Sequence, residues 1–205
     1  MEKSNTKQEI LKEALTLFST QGFETTTVSQ IALAVGIKKA SLYSHFASKQ
    51  DILDELIDGI LKEYDKHSIF TRIDWNDEEY KNSIKDLSVT EIAKTIIGQI
   101  QYILHDPIIS KSRKMLTIEQ FRNKQMSQLQ TKQNYTDVMK YFTGLICFCI
   151  ESGKLKDYGA EIMAAQLCLP ISTWLNLCDR DPSVEVEVAA LIETHIQQFF
   201  KIYSI

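Results

Sequence analysis

Apolar residues recur at three- and four-residue spacing along most of this chain, and this helical period restricts the folds that it can adopt. Most of these stretches begin at a residue that can cap a helix, or end at a glycine or before a proline. Only seven glycines and three prolines interrupt the 205 residues, which is too few for a sheet protein cut by frequent turns. The sequence therefore predicts an all-α fold.

Four helices are predicted in the first third of the chain. The pattern Thr6-Lys7-Gln8-Glu9 predicts a capping box at the start of the first helix, and Gly22 is suited to a left-handed stop at its end. Thr27-Val28-Ser29-Gln30 predicts a second capping box, followed by a very short helix that ends at Gly36. The third and fourth helices are predicted at residues 40–46 and 48–67.

The remainder of the chain predicts a connector and a larger helical domain. Residues 68–86 are polar and weakly periodic, which indicates a connector with about one helical turn. Pro170 predicts a kink, because proline lacks the amide donor that a helix interior needs. Further helices are predicted at residues 89–105, 137–152, 160–178 and 181–203, with a mixed helical pattern over 108–131.

Residues 28–46 carry the pattern of two short helices that cross at a steep angle. Such a crossing needs a small residue at the contact and a residue that tolerates positive φ in the turn, and Ala32 and Gly36 satisfy these needs. The second helix of such a unit enters the major groove of DNA. The outward-facing residues here are Lys38, Lys39, Ser41, Tyr43, Ser44 and His45.

The stretch T-T-V-S-Q-I-A-L-A-V-G-I-K-K-A-S-L-Y-S-H-F-A-S-K-Q-D-I-L, residues 26–53, resembles the TetR family of bacterial transcriptional regulators. The resemblance extends from about Ile10 to Leu56, and beyond it only the length and the helix content are similar to the family. Two positions depart from the family pattern: Val35, where alanine is frequent, and Ser44, where an aromatic residue is frequent. These departures affect the expected base preference and leave the fold unchanged.

The resemblance implies a three-helix DNA-binding domain at residues 1–48, a connecting helix at 49–67 and an effector-binding and dimerisation domain at 68–205. It implies a repressor that binds near-palindromic operator DNA and is released by a small-molecule effector. Lys38, Lys39 and Ser41 would face base edges, whereas Thr27, Tyr43, His45 and Lys49 would contact phosphates. The residues themselves leave other interpretations open, because two lysines can form a solvated pair and Tyr43 can belong to the core.

The larger domain is expected to bind the effector and the partner subunit. Aromatic side chains at Tyr102, Phe121, Phe142 and Trp174 are predicted to lie near an apolar or amphipathic effector, although each is also an ordinary core residue. The last helix carries two apolar stripes, which is more than one intramolecular contact requires. A homodimer interface is therefore predicted in the last two helices, with Leu191 and Ile192 in it.

The net charge and the motifs of the sequence further restrict the classes of function that this chain is expected to have. The net charge is −4, so any DNA affinity must come from local basic groups. No uncharged apolar run approaches the ~18 residues of a membrane span, and the N-terminus lacks a signal peptide's apolar core, so a cytoplasmic protein without membrane contact is expected. The sequence contains no nucleotide-binding, hydrolase or zinc motif, which gives no reason to expect an enzyme, a cofactor or a metal.

Two alternatives remain open at this point. The four cysteines, Cys147, Cys149, Cys168 and Cys178, lie in apolar helical stretches and are expected to be buried thiols, with a redox-sensing pair as the alternative. A DNA-binding architectural protein that has no effector is the alternative to a ligand-controlled repressor.

Overall fold

The computed structural model describes residues 3–205 of the protein, and it confirms the all-α prediction. Apart from an isolated bridge between Leu155 and Ser204, the regular structure in this range is helical. A π-helical turn (Lys132–Thr136) joins α9 to α10, and a 3-10 turn (Pro182–Val184) precedes α12. The α-helices are α1 (Lys3–Gln21), α2 (Val28–Val35), α3 (Lys39–Leu42), α4 (Lys49–His67), α5 (Ile69–Arg72), α6 (Glu78–Ile84), α7 (Val89–His105), α8 (Pro107–Glu119), α9 (Lys124–Thr131), α10 (Asp137–Glu151), α11 (Ala160–Arg180) and α12 (Glu185–Tyr203).

Several helix ends are those that the sequence predicts. The capping box of Thr27 and Gln30 opens α2, and a second one between Ser88 and Glu91 opens α7. Gly22 and Gly36 adopt φ values of 84° and 75°, a left-handed conformation in which a side chain would be strained. The tight turn predicted after α2 is therefore present.

Three predicted boundaries are wrong. Thr6 does not cap α1, which already includes Lys3, because no proline or glycine interrupts the residues before Thr6. The third helix contains only residues 39–42 instead of 40–46. The connector forms two short helices, α5 and α6, where about one turn was expected.

The chain packs into two compact units. Unit 1 comprises Met1–His67 and Pro107–Gln130, and unit 2 comprises Ser68–Asp106 and Thr131–Ile205. Helices α8 and α9 thus pack with the N-terminal helices, although the sequence assigned them to the larger domain. The predicted domain boundaries at residues 48 and 67 divide the chain by expected function rather than by packing, and they stay predictions.

Unit 1 has a single apolar core to which early and late parts of the chain both contribute. Its fully buried side chains include Phe18 of α1 and Ile31 of α2. Met115, Leu116 and Met126, which follow more than eighty residues later, are also fully buried in this core. The sequence pattern revealed an apolar face on this segment but not the helices that cover it, because periodicity carries no information about partners.

Unit 2 is built on α7, α10, α11 and α12, whose apolar faces form its core. The connector, which contains α5, α6 and the turn between them, adds aromatic rings that pack on α10, with Phe70 of α5 against Tyr141 and Trp75 of the turn against Phe148. The Trp75 indole lies directly on the α10 backbone at Gly144. A Cβ atom at Gly144 would lie 2.1 Å from Cδ1 of Trp75, far inside van der Waals contact.

No helix in the described part of the chain combines the length and the apolar character that a bilayer span requires.

The contact at Gly144 gives a stability prediction. Gly144→Ala should displace the Trp75 indole and lower the free energy of unfolding by about 1–3 kcal/mol, because an added methyl group overpacks the contact. Gly98→Ala in α7 is the matched control, since a Cβ atom there meets nothing within 4 Å. The control should stabilise the protein by about 0.5–1 kcal/mol through helix propensity. Urea unfolding of both variants measures the difference, and equal effects would contradict the packing of Trp75.

Candidate nucleic-acid interface

The start of α2 is fixed by reciprocal hydrogen bonds between Thr27 and Gln30. The Gln30 amide donates to the Thr27 hydroxyl over 3.2 Å, and the Thr27 amide donates to Oε1 of Gln30 over 2.7 Å. Thr27 is exposed, but its hydroxyl and its amide are both bonded within this box. Its contact with a phosphate stays a prediction, and its observed role is to cap the helix.

The short helix α3 is anchored from one side only. Leu42 is fully buried and Phe46 is 2% exposed, so both side chains hold the segment against the core of unit 1. The backbone carbonyl of Lys38 accepts hydrogen bonds from the amides of Ser41 and Leu42 over 2.9 and 3.2 Å. The structure therefore places Lys38, Lys39 and Ser41, the predicted base-reading residues, in exposed positions at the start of this helix.

The two aromatic residues predicted to contact phosphates differ in exposure. Tyr43 is 47% exposed, so it is not the core residue that the alternative interpretation required. His45 is partly buried, and its amide donates to the carbonyl of Leu42 over 2.9 Å. Tyr43 is thus free to contact a partner along much of its ring, whereas His45 presents a smaller surface.

Lys49 faces the turn between α1 and α2. Its ammonium group donates to the backbone carbonyls of Phe23 over 2.6 Å and Thr26 over 2.9 Å. It also lies 4.1 Å from the centre of the Phe23 ring, which is a cation–π geometry. The sequence predicted a phosphate contact for Lys49, and this stays a prediction. The structure adds a role that the sequence did not reveal, because the ammonium group ties α4 to this turn.

A buried carboxylate from α8 holds the same turn from another direction. Glu119 is only 3% exposed, and its Oε1 accepts a hydrogen bond from the Phe23 amide over 2.8 Å. Phe23 is therefore bonded through its amide to Glu119 and through its carbonyl to Lys49. Helix α8 is also bonded to α1, because Nζ of Lys111 donates to the hydroxyl of Thr16 over 2.9 Å.

Sequence reasoning missed the role of Glu119. The two bonded residues lie 96 positions apart, and nothing near Glu119 in the sequence indicates its partner. A charged residue is rarely buried without a partner, so its low exposure points to the interaction once the fold is known.

The four predicted effector residues are divided between the two units, and their role stays a prediction. Phe121 belongs to unit 1 and is 90% exposed, whereas Tyr102, Phe142 and Trp174 belong to unit 2. Phe142 is buried among aromatic rings of α5 and α10, and Trp174 packs edge-on against His195 with the ring centres 5.2 Å apart. A cavity of about 10 Å³ lies between α7 and α12, which is room for about one water molecule, and none of the four lines it.

The two predicted interface residues occupy opposite environments. Leu191 is 45% exposed, whereas Ile192 is 3% exposed and belongs to the core of unit 2. The exposed member of the pair is therefore the one that a partner subunit can contact. Nε2 of His195 in α12 lies 3.0 Å from the backbone carbonyl oxygen of Leu167 in α11. This contact joins the two helices and so fixes the surface that they present.

The cysteines have the environment of structural thiols. Cys149, Cys168 and Cys178 are buried, and Cys147 is partly buried. Burial raises the pKa of Cys149 to about 12 and the pKa of Cys168 to about 11. Because the thiolate is the reactive form, these thiols react slowly at neutral pH, which favours the structural interpretation over a redox pair. Among the side chains that the structure describes, no group of three His, Cys, Asp or Glu residues is arranged to hold a metal ion.

Comparison of sequences shows that the N-terminal part of the chain is similar to a known family. Residues 10–56 match the family model described as bacterial regulatory proteins, tetR family. The repressor KstR2 of Rhodococcus jostii (strain RHA1) is 48% identical over 59 residues, which is 29% of each chain. The negative regulator IcaR of the biofilm operon icaADBC, from Staphylococcus aureus (strain Newman), is 49% identical over 51 residues, 25% of this chain and 27% of that protein. The chain thus matches less than a third of the length of these relatives.

Solved structures extend the likeness to the whole fold. SmeT, the repressor of the multidrug efflux pump SmeDEF of Stenotrophomonas maltophilia, aligns with 97% of this chain and 90% of its own at a TM-score of 0.64 and 16% identity. A complex of SmeT with triclosan aligns with 98% of this chain and 92% of its own at a TM-score of 0.65 and the same 16% identity. Identity this low establishes a common fold only.

The bond between Glu119 and Phe23 predicts a specific loss of stability. Glu119→Ala should lower the free energy of unfolding by about 1–3 kcal/mol, because it leaves the partly buried Phe23 amide without an acceptor. Glu119→Gln is the matched control, since its side-chain oxygen can still accept that hydrogen bond. Urea denaturation of the two variants tests the assignment, and it fails if both lose the same stability.

Proposed function

We propose that this chain, whose residues 10–56 belong to the TetR family of bacterial regulatory proteins, is a transcriptional repressor that a small molecule releases from operator DNA. The exposed start of α3 carries the proposal. Lys38, Lys39 and Ser41 project from a segment whose buried residues fix its position, which is the arrangement that a recognition helix needs. Such a regulator would act in the cytoplasm, where bacterial DNA lies.

The chemistry of these residues fits a division between base and phosphate contacts. Lysine side chains donate hydrogen bonds to the acceptors of guanine in the major groove, and a serine hydroxyl pairs with several bases. Tyr43 and His45 follow them in the sequence, and Thr27 and Lys49 lie at the starts of α2 and α4; these four residues would contact the phosphates. The overall charge of −4 would repel DNA, so binding depends on this local group.

A homodimer is part of the proposal because one α3 is too small to select a site. The helix has four residues, and specific recognition of one sequence in a genome requires more contacts than one copy supplies. A twofold axis places two such helices in successive major grooves and explains a near-palindromic operator. The surface that we propose for pairing consists of exposed apolar residues of α11 and α12: Ile162, Leu169, Leu177, Leu191 and Ile202.

Control by a small molecule is the remaining part of the proposal. A ligand that favours one arrangement of the dimer shifts the population away from the one that fits DNA. Helix α8 is suited to transmit such a shift, because Glu119 binds the turn that precedes α2. The SmeT–triclosan complex supports this part of the proposal, since it is a ligand complex of a protein with the same fold.

The proposed DNA contact predicts how the replacement of a single lysine changes the affinity for DNA. Lys39→Ala should weaken binding to the preferred duplex by about 1–3 kcal/mol and relax its sequence preference, because a base contact is lost. The preferred duplex comes from selection out of a random DNA pool, and fluorescence anisotropy at fixed salt measures the affinity. Lys62→Ala is the control, since this exposed lysine lies about 20 Å along α4 from the start of that helix. Equal affinities for Lys39→Ala and the wild type would contradict the assignment.

The dimer surface predicts a difference between two positions on one helix. Leu191→Glu should yield monomers that bind DNA weakly, because it places a charge in an apolar contact. Val186→Glu is the matched control, since it is 85% exposed and lies about 140° around α12 from Leu191. Sedimentation velocity at micromolar concentration measures the mass of each. A Leu191→Glu protein that remains dimeric would place the interface elsewhere.

A further inference from the structure

The indole of Trp75 has a buried hydrogen-bond donor for which the described residues offer no acceptor. Its Nε1 atom is inaccessible to solvent and bonds to no group in the part of the chain that the structure describes. A buried donor without an acceptor is destabilising, so native proteins rarely retain one without a reason. The environment of this indole therefore needs an explanation beyond packing.

Trp75 lies in a continuous group of aromatic rings within unit 2. Its ring centre is 5.6 Å from that of Tyr141, 5.7 Å from that of Tyr80 and 6.2 Å from that of Phe148. Phe70 extends the group, with its ring centre 5.4 Å from that of Tyr141. We call Phe70, Trp75, Tyr80, Tyr141, Phe142 and Phe148 the aromatic cluster.

The two walls of the aromatic cluster are held in different ways. Tyr141, Phe142 and Phe148 are buried residues of α10, a helix of 15 residues in the core of unit 2. Phe70, Trp75 and Tyr80 come from the connector, whose helices α5 and α6 have four and seven residues and no buried ones. Helices this short have little stability of their own, so the connector is held by the packing of its apolar side chains on the core of unit 2, which a ligand in the same place can replace.

Gly144 has no side chain, so the surface of α10 is flat at this position, and the Trp75 indole covers it. Because the indole contacts the α10 backbone itself, its departure would expose a gap bounded by aromatic rings and by main chain. A planar ring has the shape to fill such a gap and to pack against the neighbouring rings.

Charges around the aromatic cluster favour a neutral occupant. Burial raises the pKa of both Tyr80 and Tyr141, so their phenols remain uncharged at neutral pH. The charged groups close to the connector include three acids, Asp74, Glu78 and Glu151, and two bases, Lys81 and Lys140. This excess of one negative charge disfavours an anion, and no side chain of the aromatic cluster carries a charge that would select a cation.

We propose that the aromatic cluster is the effector site, closed by Trp75 in the free protein, and that its ligand is a neutral planar aromatic molecule with a hydrogen-bond acceptor for the indole Nε1. The effector role rests on the proposed function, whereas the binding site does not. Of the four residues that the sequence suggested for the effector, only Phe142 belongs to this site.

A matched pair of ligands tests the acceptor. Quinoline and naphthalene have nearly the same shape, but only quinoline has a ring nitrogen that accepts a hydrogen bond. In ¹H–¹⁵N spectra of the intact protein, quinoline should move the indole N–H resonance of Trp75 downfield, and naphthalene should move it much less. The chain has two tryptophans, so Trp174→Phe assigns the two signals and the Trp174 signal is the internal control.

The variant Trp75→Phe separates the hydrogen bond from the packing. It keeps an aromatic ring and removes the donor, so the protein should still fold. The wild type should bind quinoline about five-fold more tightly than naphthalene, which corresponds to a net hydrogen bond of about 1 kcal/mol. Trp75→Phe should bind the two ligands equally, as measured by equilibrium dialysis.

Each outcome decides one part of the proposal. An acceptor-dependent shift at Trp75, together with weaker operator binding in the presence of quinoline, supports both the site and its effector role. No such shift would overturn the site, even if the protein binds DNA normally. A shift without any change in operator affinity would overturn the effector role. If the protein binds no DNA but the shift occurs, the proposed function fails and the binding site remains.

Discussion

The four-residue helix α3 has too few hydrogen bonds to be stable alone, and the arrangement of unit 1 follows from that limit. Its position depends on Leu42 and Phe46, which are buried against helices from elsewhere in the chain. The residues exposed on its other side can then be polar without loss of stability. The position of the exposed residues is therefore set by the packing behind α3 rather than by the hydrogen bonds of the helix itself.

Two polar groups extend this support to the turn before α2. Lys49 and Glu119 bond to the carbonyl and the amide of the same residue, Phe23. Side chains from α4 and α8 thus satisfy partly buried backbone groups of a loop. Helices α8 and α9 are together preceded and followed in the chain by segments of unit 2. Through this turn, a displacement of α8 would reach the start of α2.

Unit 2 contains a buried polar group in the opposite situation, the indole N–H of Trp75. The indole donor of Trp75 has no partner among the described residues, while the aromatic rings around it are closely packed. The Phe23 amide, in contrast, is satisfied by Glu119 of α8. Trp75 comes from a connector of short helices, whose position depends on packing rather than on their own hydrogen bonds.

Local interactions were predictable from the sequence, and long-range ones were not. The capping boxes at Thr27 and Ser88 and the left-handed glycines 22 and 36 depend on neighbouring residues, so the sequence determined them. The exposed lysines of α3 followed from a motif of fixed spacing. Only the tertiary structure decided that α8 and α9 pack with the N-terminal helices, that Glu119 bonds to Phe23 and that Trp75 covers Gly144. These contacts join residues far apart in the chain, and a helical pattern specifies which face is apolar without specifying what covers it.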